Sequence, residues 1–142
     1  TPLDREAVLA RGDHMWDELR AAVDAHLDQP IGPATDWTGH DIYAHFARWQ
    51  QLSVTAAGEL LAGRRPADPE ADDATLNNRW RAEDTALPTA EVRDLCLQSR
   101  RDLRQILTTI TDDEWAAWGH LVAADIDGSH YAHHLAVAGR SS

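Results

Sequence analysis

Apolar residues recur every three to four positions along this chain and nowhere alternate. Ile42, His45, Phe46, Trp49, Leu52, Ser53, Ala56 and Leu60 fall on one stripe of a 3.6-residue helix. Val92, Leu95, Cys96, Ser99, Leu103, Ile106, Leu107 and Ile110 repeat the pattern, and Val8, Met15, Trp16, Leu19, Val23 and Leu27 show it near the start. A half-buried strand needs a period of two, which no segment offers, so the chain is expected to be all-α.

The breaks between stripes agree. Thr1-Pro2-Leu3-Asp4 reads as a helix start with Thr1 at the N-cap, and Gly12 as a weak point in that first helix. Gln29-Pro30-Ile31-Gly32-Pro33 ends it. Thr38 and Asp41 form a capping box with Asp in place of Glu, and Gly63 and Pro66 close the second helix. A polar loop over 64–74 leads to a short helix expected from Leu76 to Ala86. Leu87-Pro88 breaks the chain again, and Thr89 is expected to cap the next helix. Thr111 to Glu114 looks like a second capping box, for a short turn through Trp115 and Trp118 that Gly119 ends. The last helix is expected from about Asp127 to Val137, with Gly139 just past its end. The architecture expected is a four-helix bundle, one domain over 1–142, with a long crossover between the second and third helices.

Charge and composition narrow the function. A net charge of −11 argues against nucleic acid or an anionic membrane as partner. No run approaches the ~18 apolar residues of a membrane span. No basic stretch followed by an apolar one opens the chain, so no signal peptide is expected. The single cysteine, Cys96, allows no intrachain disulfide and fits a reducing, cytoplasmic setting. Cys96 continues an apolar stripe and is expected in the core. Every basic residue is Arg, which excludes a Schiff-base lysine.

The chemistry centres on His130-Tyr131-Ala132-His133-His134. On a helix His130 and His134 lie one turn apart on one face, and His133 points roughly 60° away from it. Two imidazoles at that spacing can hold one divalent metal. His45, inside the stripe of the second helix, is the candidate third ligand, although a core histidine taken alone is more often a hydrogen-bonded packing residue. Three neutral imidazoles with an open fourth position make a catalytic type of site, which lowers the pKa of a water or thiol held there. Zinc and nickel both suit imidazole. Asp41, one turn before His45, and Asp127, one turn before His130, are candidates to orient an imidazole or to serve as a fourth ligand; Asp41 is equally well read as a plain cap. Tyr131 stands where a HExxH metalloprotease needs its glutamate, so that reaction is excluded. Among the aromatic residues, Trp49, Trp80 and Tyr131 are candidates for a pocket wall, with packing as the competing role. His14, His26, His40 and His120 show no partner spacing.

Trp37-Thr38-Gly39-His40-Asp41-Ile42-Tyr43-Ala44-His45-Phe46-Ala47-Arg48-Trp49 resembles the W-(S/T)-x-x-D-x-x-x-H-(hydrophobic)-x-x-W segment of the DinB/YfiT-like superfamily. His130 to His134 resembles that superfamily's C-terminal H-Y-x-x-H helix. The resemblance spans nearly the whole chain and implies a four-helix bundle with metal ligands at His45, His130 and His134. Members include thiol-dependent S-transferases, the N-terminal domain of mycothiol-dependent maleylpyruvate isomerase, and ClbS/DfsB-like proteins. The resemblance implies a metal-dependent enzyme that activates a thiol, such as mycothiol, or water for attack on a small electrophile. Two other readings stay open: a ClbS-like resistance protein that hydrolyses or sequesters a reactive natural product, and a non-enzymatic metal- or ligand-binding bundle. The superfamily also implies a weakly held homodimer.

Overall fold

The structure, a computed structural model, describes residues 4–139. The cap expected at Thr1 lies outside them; Asp4 fills that role, its Oδ1 accepting from the amides of Glu6 and Ala7. Four helices follow: α1 (Arg5–Asp24), α2 (Gly39–Leu61), α3 (Asp73–Asp84) and α4 (Thr89–Thr109). The segment after α4 is irregular: a turn at Asp112–Glu114, a π-helical turn at Trp115–Gly119, then His120–Val122 and a 3-10 turn at Ala123–Asp125. The last helix is Ser129–Val137. The described residues contain no strand, only an isolated bridge between Pro30 and Thr38. No described helix is long and apolar enough to cross a membrane.

Contacts set the helix directions. The start of α2 meets the end of α1, where the amides of Gly39 and His40 donate to the carbonyls of His26 and Leu27. Those two helices are therefore antiparallel. His40 Nε2 lies 2.8 Å from Leu87 O, and Gln50 reaches Cys96 and Ser99, so α2 and α4 run the same way. The crossover through α3 makes that possible, because parallel neighbours need a long connection. Asp125 meets Ser53 at one end of the last helix and His134 lies against His45 further along, so that helix runs antiparallel to α2.

Several helix ends differ from expectation. Helix α1 stops at Asp24, and Leu27 packs half-buried in the turn beyond it. Helix α3 begins at Asp73 rather than Leu76, because Asp72 accepts from the amide of Thr75. Thr89 does not cap α4; Pro88 holds the N-cap position with no side-chain bond. Gly119 ends nothing, since the chain continues through the π turn into His120–Val122. Both expected capping boxes, Thr38/Asp41 and Thr111/Glu114, are present.

Gly12 is a requirement of packing rather than a weak point. A Cβ there would lie 1.8 Å from the carbonyl oxygen of Ile126, in the turn that launches the last helix. Gly58, also helical, faces open space. Gly12→Ala is expected to destabilise the fold by about 1–3 kcal/mol through forced displacement of that turn. Gly58→Ala should instead stabilise by roughly 0.5–1 kcal/mol through helix propensity. Urea denaturation midpoints of the two variants check both signs.

Candidate metal centre

His45 lies in the second turn of α2, whose start is fixed by the Thr38/Asp41 box. It is buried, at 7% exposure, with its ring edge-on to Trp37 (5.4 Å between centroids) and Phe46 (5.3 Å). His130 and His134 lie in successive turns of the last helix. That helix starts where Gly128 takes φ 101° and Asp127 Oδ1 accepts from the amide (2.8 Å) and hydroxyl (2.6 Å) of Ser129. Antiparallel packing then brings the three rings together. His130 Nε2 is 3.0 Å from His45 Nε2 and 3.2 Å from His134 Nε2, and all three ligand atoms lie within 4.8 Å of one another. His133, one position away, is exposed, as its place on the helix predicted.

Hydrogen bonding alone does not satisfy this arrangement. His130 Nδ1 faces Asp125 Oδ1 at 3.2 Å, and a carboxylate only accepts, so in the neutral ring Nδ1 carries the proton and Nε2 the lone pair. Two further imidazole nitrogens crowd that single lone pair. One can donate to it; the other is left poorly paired, at a cost of roughly 1–3 kcal/mol. A divalent ion accepts three lone pairs at once. Tetrahedral ligands at Zn–N distances of about 2.0–2.1 Å stand about 3.3 Å apart, close to the separations of 3.0 and 3.2 Å from His130 to its two neighbours. The donor set therefore fits a three-histidine metal site.

The sequence profile described as mycothiol maleylpyruvate isomerase N-terminal domain matches residues 8–137. The chain belongs to that family. Membership agrees with the DinB/YfiT-like superfamily and its all-α fold. No curated protein matches the chain, and no solved structure does.

In this member of the mycothiol maleylpyruvate isomerase N-terminal domain family, the carboxylates expected near the histidines are placed differently. Asp127 does not orient His130; it is engaged with Ser129 at the helix start. Asp41 is taken by the amide of Thr38 and the guanidinium of Arg81. It leaves His45 Nδ1 buried with no hydrogen-bond partner among the described residues. The carboxylate that does reach an imidazole is Asp125, whose Oδ2 also accepts from Ser53 Oγ at 2.7 Å. Sequence reasoning missed it because Asp125 precedes His130 by five residues across a non-helical turn, where helical spacing carries no signal. Ser53 was visible only as a member of the α2 stripe.

Tyr131 is no pocket wall. It is fully buried, its hydroxyl donating to Gln50 Oε1 (3.3 Å) and accepting from Arg100 Nε (3.2 Å). Trp49 and Trp80 pack edge to face at 5.0 Å, and Trp49 Nε1 donates to Asn77 of α3. A groove of about 750 Å³ opens between the starts of α2 and α4, and neither these aromatics nor the three histidines line it. Cys96 is in the core as expected, and burial pushes its thiol up to about 12, so it is no nucleophile.

Burial, followed by the neighbouring imidazoles, pushes the His45 pKa down to about 2 and that of His134 down to about 3. Both rings are neutral at pH 7, which leaves their lone pairs available. The folded values lie below the unfolded value of about 6.5, so between them the unfolded chain binds more protons and stability rises with pH. The metal-free protein is therefore expected to lose stability as pH falls below about 6.5, progressively toward the folded values. Urea midpoints measured in chelator from pH 7.5 to pH 4 check this; a midpoint that stays level or rises on acidification contradicts it.

Proposed function

We propose that His45, His130 and His134 bind a divalent transition metal, zinc or nickel in a purified sample, in an enzyme acting on a small electrophile. The attacking group is a low-molecular-weight thiol, with mycothiol the first candidate because the family's describing member uses it, or water. The single observation that carries this reading is the convergence of three Nε2 atoms on one point. When bound, the metal supplies positive charge that lowers the pKa of a thiol or water beside it.

The protein's own part is positional. His45 presents its Nε2 from a buried site walled by Trp37 and Phe46. His130, with 24% of its side chain exposed, is the more open ring of the pair it makes with His45. His134 is set one turn beyond it by the helix. All thirteen basic residues of the chain are Arg and Cys96 is sealed in the core, so no side-chain amine or thiol of the protein competes as nucleophile.

Chelator-treated protein titrated with zinc should take up one ion per chain. His134→Ala should weaken binding by more than the roughly 10–100-fold that loss of an outer hydrogen-bond partner costs, because it removes a ligand. His133→Ala should matter much less. The loaded protein, screened against small electrophiles with mycothiol, bacillithiol or glutathione, should consume thiol or electrophile over many turnovers. One equivalent consumed per chain indicates capture instead of catalysis. Equal affinity in wild type and His134→Ala removes the metal assignment.

A further inference from the structure

Besides the buried Tyr131–Gln50 pair, a part-buried polar link through Asp125 ties α2 to the ring of His130. Ser53 lies eight residues beyond His45 on α2, and its hydroxyl donates to Asp125 Oδ2 at 2.7 Å. Asp125 Oδ1 accepts from His130 Nδ1 at 3.2 Å. Only 18% of the Asp125 side chain is exposed. Its backbone is held firmly, since Asp125 closes the 3-10 turn Ala123–Asp125 and both Ala123 and Ile126 beside it are buried in the core. Each carboxylate oxygen thus has one assigned partner, one on each helix.

We propose that Asp125, held in turn by Ser53, is the positioning residue that fixes His130 as a lone-pair donor at Nε2. The inference rests on the reading of the three histidines as metal ligands and deepens it. A neutral imidazole has one N–H and one lone pair, and the hydrogen bond at one nitrogen decides which is which. With Nδ1–H committed to a carboxylate, Nε2 faces His45 and His134 as an acceptor. The same bond limits rotation of the ring and makes Nε2 more basic. Among the described residues His45 has no such partner at Nδ1, and its ring packs against Trp37 and Phe46. Among the described residues, a carboxylate faces the Nδ1 of His130 and of neither other ring. Ser53 supplies the reference point: it ties the carboxylate to the helix that bears His45, so His130 is oriented relative to its partner ligand and not merely to its own turn.

The test uses Asp125→Ala, the near-isosteric Asp125→Asn, and Ser53→Ala, each first confirmed as folded by circular dichroism. Imidazole nitrogen NMR on the metal-free proteins reads the tautomer without any metal. Wild-type His130 should be the Nδ1–H form, and Asp125→Ala should shift it toward the Nε2–H form that free histidine favours. Zinc affinity, measured by competition with a chromophoric chelator, should fall about 10–100-fold in Asp125→Ala. The loss should be smaller in Asp125→Asn and Ser53→Ala. The cobalt-substituted protein should show a shifted d–d absorption band in Asp125→Ala, which a purely structural role would not produce. A His130 tautomer unchanged in all three folded variants overturns the proposal, as does wild-type zinc affinity in all three. A wild type that takes no zinc, while Asp125→Ala still switches the tautomer, supports the orienting role and removes the metal reading on which it was built.

Discussion

Trp16, Phe46 and Tyr131 meet at one point, and the rest of the site depends on that contact. Their ring centroids lie 5.1 to 6.2 Å apart, drawn from α1, α2 and the last helix. Aromatic pairs of this kind contribute roughly 0.5–1.5 kcal/mol beyond their buried area. Their larger effect here is geometric. Phe46 follows His45 in sequence and Tyr131 follows His130, so the packing that locks the aromatic node also sets how far the last helix can slide along α2. A slip of one turn is about 5.4 Å, more than the whole span of the three imidazole nitrogens.

A buried polar network reinforces the same register. Gln50 donates to Ser99 Oγ (2.9 Å) and to the carbonyl of Cys96 (2.9 Å), and accepts from Tyr131. Arg100 donates to Tyr131 and to Asp13, and Arg104 also reaches Asp13. The network touches α1, α2, α4 and the last helix, and the side chains in it are paired with one another. Packing of apolar side chains resists sliding through shape alone. A paired amide, phenol and guanidinium add to that resistance, because any displacement leaves a buried polar atom unpaired.

Much of this was legible in the sequence, for reasons particular residues make plain. Period, capping boxes and Pro/Gly breaks marked the helices because those signals are local. The i,i+4 spacing of His130 and His134 gave their shared face, and His133 fell outside it as helical geometry requires. His45 was legible as a candidate through its place in an apolar stripe. The failures were non-local. Thr89 resembles a cap, but its hydroxyl caps nothing here; Leu27 continues a helical pattern, but the carbonyls around it are claimed by the start of α2. Asp127 had helical spacing to His130, yet the helix begins two residues later, and the turn hands that role to Asp125. Tyr131, between two candidate ligands, looked like part of a pocket; a step of 100° per residue places it in the core instead.

His45 and His130 are separated by 85 residues of chain. Closing a loop of that length costs about 4 kcal/mol plus a constant in chain entropy. During synthesis, everything through α4 can collapse while the last helix is still absent, and at that stage His45 faces a gap. The pair His130 and His134 follows α4 in the chain, close together and already near the right spacing once its helix forms. The centre is thus completed only when the helix Ser129–Val137 docks on α2. An ion held there would act as a clasp across that joint, opposing the undocking of the helix from α2.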